Sequence, residues 1–173
     1  RLPGVVNKLF AAAFVGFLFN GCAGYHIGPV QPAYLRAVKT IAVPTFANST
    51  LEPRIEVLVT GTVIKQFQQD GTYRIAGDEN ADAILKGEIT RINRAPSRSV
   101  RGNVLATREF TLRVGVRYRL VSRDGKIIAG PSEVYGTSNF FVGSDVTTDE
   151  RQALPLATEE VATHLVSQLS EGW

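Results

Sequence analysis

Few side chains in this 173-residue sequence suit covalent or metal chemistry, and those few stand apart. Cys22 is the single cysteine, so no internal disulfide can form. His26 and His164 are the two histidines; with one cysteine they are too few for a zinc site. The carboxylates show no calcium-loop spacing. No P-loop, dinucleotide fingerprint, nucleophile elbow or HExxH segment occurs. His164 falls beside the apolar stripe of a terminal helix, where a hydrogen-bonded ring at the helix boundary is the expected role. Asp78, Glu79 and Asp82 read as a solvated turn. Asn48-Ser49-Thr50 matches a glycosylation sequon, but helix capping accounts for it better. These residues predict no catalytic group, no metal and no cofactor, and so no enzyme.

The arginines carry more information. Residues 84–119 hold nine basic and two acidic side chains, while the whole chain carries a net charge of only +3. If two long strands pair within this segment, most of these cations gather on one hairpin. Arg113, Arg117 and Arg119 then share one face. Arginine suits phosphate because its planar fork grips two oxygens at once. A solvated outer sheet face is the plain alternative. Nucleic acid would also suit a basic sheet, but the export signal at the start of the chain argues against it. An anionic lipid or its phosphorylated sugar head group fits better.

Arg1 and Lys8 precede an apolar run at residues 9–19, followed by Asn20, Gly21 and Cys22. A basic start, a short apolar core and a small residue before a cleavage point describe an export signal. Eleven apolar residues are too few for a spanning helix, which needs roughly 20. Gly21-Cys22 resembles the processing site of bacterial lipoproteins, although Phe19 and Asn20 depart from its usual Leu and Ala or Ser. The Cys22 thiol would then carry a diacylglycerol, and its freed amine a third chain; more than one chain is needed for stable anchoring. A buried free cysteine, a plain cleaved signal and an uncleaved anchor are the alternatives.

Period and punctuation place the rest. Residues 23–34, with Gly24, Gly28, Pro29 and Pro32, read as a tether. Residues 39–46 form a short strand, with Pro44 at its end or at a free edge. Ser49 and Glu52 have capping-box spacing for a helix with Ile55, Leu58, Val59, Val63 and Phe67 on one face. Asp70-Gly71 stops it, and Gly61 marks a close approach to the sheet. Residues 73–76 make a short strand and 83–94 a longer one, with a bulge before Ile92. A loop spans 95–103. Residues 108–121 alternate strictly, apolar on even positions, so this is a half-buried strand. Ser122-Arg123-Asp124-Gly125 turns the chain into a return strand at 126–142, broken near Gly130-Pro131. Pro155 interrupts the last segment, giving a short turn and a helix from about Leu154. Its face is Val161, Ala162, Leu165, Val166 and Leu169. The expected fold class is α+β: a two-layer sandwich of two helices on one face of a mainly antiparallel four- to five-stranded sheet.

Three stretches resemble the LptE lipopolysaccharide-assembly lipoproteins: Cys22-Ala23-Gly24-Tyr25-His26-Ile27, Ile41-Ala42-Val43-Pro44-Thr45-Phe46-Ala47-Asn48-Ser49-Thr50, and Ala81-Asp82-Ala83-Ile84-Leu85-Lys86-Gly87-Glu88-Ile89. The resemblance implies a signal peptide at 1–21, a lipid-anchored tether at 22–37 and one domain at 38–173. It implies a non-enzymatic outer-membrane lipoprotein, acylated at Cys22, that plugs and helps assemble an LptD-like β-barrel and binds lipopolysaccharide during delivery to the cell surface. Ala23 after the cysteine matches outer-membrane sorting. The lipopolysaccharide-binding residues are assigned from charge alone: Arg91, Arg94, Arg98, Arg101 and Arg108. A regulatory periplasmic lipoprotein that binds a peptidoglycan synthase or a secretion channel is the competing reading. A hydrolase is a third, and it lacks any visible cluster of catalytic groups.

Overall fold

The computed structural model describes residues 31–98, 108–142 and 146–172. Three long strands, β4 (Ala83–Arg98), β5 (Arg108–Ser122) and β6 (Ile127–Val142), form an antiparallel meander. The alternation read for β5 holds. Leu112, Val114, Val116, Tyr118 and Leu120 are buried, while Arg113, Arg117 and Arg119 are exposed. The bulge expected before Ile92 is a register shift between Ile89 and Arg91. The turn at 122–125 closes with the Gly125 N–H donating to the Ser122 carbonyl. β4 runs on to Arg98, so part of the expected loop at 95–103 is strand; residues 99–107 lie outside the described residues.

The sheet is larger and more mixed than expected. Three very short strands, β1 (Thr40–Ala42), β2 (Ala47–Asn48) and β3 (Arg74–Ile75), extend it to six. β1 pairs in parallel with β3 and β4, and β2 pairs in parallel with β4. Strands of two or three residues are too short to display a period, so the sequence merged β1 and β2 into one run. Pro44 lies between the two strands, where no ladder N–H is needed. Asp82 joins β1 to β4: its Oδ2 accepts from the Lys39 and Thr40 N–H groups and the Thr40 hydroxyl, each at 2.9 Å. These donors hold its carboxyl below the usual aspartate range.

Helix α1 (Ile55–Asp70) starts later than the Ser49–Glu52 spacing predicts. Asn48 organises the intervening turn instead, accepting from the Thr50 N–H at 2.9 Å and donating to the Glu52 carbonyl at 2.9 Å. Ser49 donates its hydroxyl to Glu88 on β4 at 2.6 Å rather than capping the helix. Ile55, Val59, Val63 and Phe67 are buried as expected, with Leu58 partly so. Gly61 does not approach the sheet: nothing lies within 4 Å of a Cβ placed there. Gly71 ends the helix in the left-handed region, φ 76°, with its N–H on the Phe67 carbonyl.

Helix α2 (Val146–Ser170) is continuous through Pro155, which corrects the expected break. Pro155 is exposed, whereas Ala153, Ala157, Val161, Ala162, Leu165, Val166 and Leu169 are buried, so one apolar stripe runs past it. The apolar stripe outweighs the missing N–H, and the Thr158 hydroxyl donates to the Pro155 carbonyl at 2.7 Å. Both helices pack on the face presented by Leu85, Ile89, Val114, Val116 and Leu120. Tyr73 ties the layers, donating its hydroxyl to the Leu169 carbonyl at 2.6 Å and meeting Phe67 edge-on. Leu35, in a short 3₁₀ turn, is fully buried, so the compact unit reaches back to Gln31.

The closest approach is at Gly136 on β6, where a Cβ would run into the Ala157 carbonyl oxygen and the Val161 amide of α2. Gly136→Val is expected to cost about 3 kcal/mol of stability, the upper end of ordinary overpacking. Denaturant unfolding measures it; a variant as stable as the parent would contradict this contact.

Candidate functional site

With both helices on one face, the opposite face of β4, β5 and β6 is left open among the described residues. The ladder register assigns its residues: Lys86 opposite Arg119, Glu88 opposite Arg117, Arg91 opposite Gly115, Asn93 opposite Arg113. The next strand adds Glu133 opposite Arg117 and Tyr135 opposite Gly115.

Tyr135 organises the middle of this face. The Arg113 guanidinium carbon lies 4.0 Å from its ring centroid, and that of Arg91 lies 5.9 Å away. Gly115 makes room for the stack, since a Cβ there would stand 3.0 Å from both the Arg91 Cγ and the Tyr135 ring. Glu133 balances part of the charge. It accepts from the Thr90 hydroxyl at 3.0 Å and faces Arg91 at 3.7 Å. Hydrogen bonds from the Tyr135 and Thr90 hydroxyls hold its carboxyl below the usual range, and the same contact raises the Tyr135 phenol. Arg117 pairs with Glu88 at 3.7 Å.

The five arginines assigned from charge do not form one cluster. Arg91 is on the open face. Arg94, three residues on and past the bulge, shares a ladder position with buried Leu112 and so turns to the helix side. There it pairs with Glu150 of α2 and, at 3.5 Å, with Glu52. The Glu150 hydrogen bond raises its pKa further. Arg98 stands opposite Glu109, and Arg108 opposite Val142. Arg101 and Cys22 lie outside the described residues. Sequence reasoning placed Arg113, Arg117 and Arg119 on the open face but missed Tyr135 and Glu133. The turn at 122–125 alone does not locate them, because two register shifts around Ala129 separate it from Glu133 and Tyr135.

His164 has the expected structural role. Its Nδ1 lies 2.8 Å from the Tyr135 carbonyl at the exposed edge of β6. One turn earlier, Glu160 accepts from the Thr137 N–H and, at 2.9 Å, its hydroxyl. Helix α2 therefore satisfies two backbone groups that an edge strand leaves open. No group of three or more metal-binding side chains occurs among the described residues, and no described helix is long and apolar enough to cross a membrane.

The family model for LptE, lipopolysaccharide-assembly, matches residues 38–169. The chain belongs to this family. That span takes in every strand and all but the last residue of α2. LptE proteins are non-catalytic lipoproteins of the lipopolysaccharide-assembly machinery. No curated protein sequence matches the chain significantly. Solved structures share the fold at low identity. A dodecameric PelC point variant from Paraburkholderia phytofirmans is 18% identical with a TM-score of 0.51, over 81% of this chain and 94% of that one. A minor lipoprotein from Acinetobacter baumannii is 14% identical with a TM-score of 0.51, over 76% and 92%. An uncharacterized lipoprotein B from Nitrosomonas europaea is 14% identical with a TM-score of 0.51, over 77% and 83%.

Glu160 makes a stability prediction. The Thr137 N–H, first, holds its carboxyl below the usual range. A carboxyl lowered in the folded state stabilises above its unfolded pKa, and that stabilisation is lost as pH falls through the folded value. Glu160→Gln is expected to melt earlier than the parent at pH 7 and to approach it at about pH 3, below the ordinary glutamate pKa. Thermal melts at both pH values check this; equal melting at pH 7 would contradict it.

Proposed function

We propose that this LptE family member is an outer-membrane lipoprotein, processed to begin at Cys22 and acylated there. It plugs and supports assembly of an LptD-like β-barrel, and it binds lipopolysaccharide on its way to the cell surface. The family match over residues 38–169 is the observation that carries this reading. Two features support it. The lone cysteine follows a short apolar run at the right distance for lipoprotein processing. The open sheet face carries Arg91, Arg113, Arg117, Arg119 and Lys86 against Glu88 and Glu133, which suits phosphorylated, anionic glycolipid. Arg91 keeps its assigned place in lipopolysaccharide binding, and so do Arg98, Arg101 and Arg108. Arg94 is better explained as the bolt between β4 and α2.

Recovery from solubilised outer membranes tests this reading. The Cys22-bearing chain is expected to purify with an LptD-like barrel and with lipopolysaccharide, while Cys22→Ser shifts it to the soluble fraction. Recovery with a peptidoglycan synthase or a secretion channel, and never with such a barrel, would overturn it.

A further inference from the structure

The basic face ends in a groove with a character of its own. It holds about 420 Å³ and crosses the ladder near the start of β4. Its floor is two cross-strand pairs, Lys86–Arg119 and Glu88–Arg117. Pro44 and Thr45 wall one side, and Pro131 of β6 the other. The first wall is anchored. The neighbouring Phe46 is buried over Gly87, where any Cβ would strike its ring, and the Phe46 N–H donates to Thr60 Oγ1 of α1 at 3.0 Å.

The Lys86–Arg119 pair needs an explanation. Like charges directly opposite one another across an antiparallel ladder destabilise it. Among the described residues, no carboxylate pairs with either side chain; the one acid in the groove, Glu88, is engaged by Arg117 and Ser49. Two cations without a carboxylate partner among the described residues therefore line a concave, walled site beside a third. An anion of charge two would offset the repulsion, and a guanidinium fork binds two of its oxygens together.

We propose that this groove binds a phosphate monoester group, held by Lys86 and Arg119 with Arg117 shared between it and Glu88. The inference rests on the proposed glycolipid-binding face and assigns one phosphate-sized site on it; it stands on the ladder geometry whether or not the chain occupies a barrel. The phosphate could be free or borne on a lipid.

Titration of the full chain with glucosamine 1-phosphate, and co-sedimentation with phosphatidylcholine vesicles with and without phosphatidic acid, tests the proposal. Binding to the soluble ester identifies a free phosphate as sufficient; binding only to the phosphatidic acid vesicles identifies a lipid-borne one. Lys86→Glu turns the repulsive pair into an attractive one, so it is expected to weaken phosphate binding about tenfold while the melting temperature holds or rises. Lys65→Gln, exposed on α1 and outside the groove, leaves binding unchanged. Amide shifts of the unaltered protein on titration should centre on Gly87, Tyr118 and their neighbours. Absence of binding to both probes, shifts centred elsewhere, or full binding by Lys86→Glu would overturn the proposal.

Discussion

The seating of α2 on β6 sets the character of the whole domain. Gly136 brings the helix backbone against the strand, and Ala157, Val161 and Leu165 follow it into the core. Glu160 and His164 then take up the Thr137 N–H and the Tyr135 carbonyl at the strand edge. One helix thus fills the core, fixes which sheet face is dry and protects the outer edge from pairing with another chain. The opposite face is left to water or to a partner, and there the charged residues of β4, β5 and β6 collect.

The bulge at Ile89–Arg91 divides the basic residues. Before it, even positions of β4 face out, as Lys86 and Glu88 do. After it, odd positions do, as Arg91 and Asn93 do. Arg94 is thereby rotated to the helices and joined to Glu150. One inserted residue converts a uniform basic stretch into an outward set and an inward bolt. The outward set gains Tyr135 as a stacking platform and Glu133 as a partial counter-charge.

The parts of the fold with long repeating patterns were legible in the sequence. The period-two run of β5, its turn at 122–125, the α1 stripe from Ile55 to Phe67 and the bulge before Ile92 all fall where expected. What escaped was short or depended on distant partners. β1, β2 and β3 have too few residues to show a period, and their parallel pairing arises only once α1 carries the chain across. Ser49 has the chemistry of a helix cap, but Glu88 offers it a better bond across the sheet. Pro155 has the chemistry of a breaker, yet burial on both sides of it holds α2 together. Part of the charge excess at 84–119 falls on the open sheet face, at Lys86, Arg91, Arg113, Arg117 and Arg119; sorting it residue by residue required the register of β6 and the position of α2.

The open sheet face, and not the helical layer, is the surface proposed to meet lipopolysaccharide. Photo-crosslinking tests this directly, with a benzophenone side chain placed at Arg113 on the open face in one protein and at Gln66 on α1 in another. Adducts to lipopolysaccharide from position 113 and none from position 66 are predicted; adducts from position 66 with none from 113 would contradict the account.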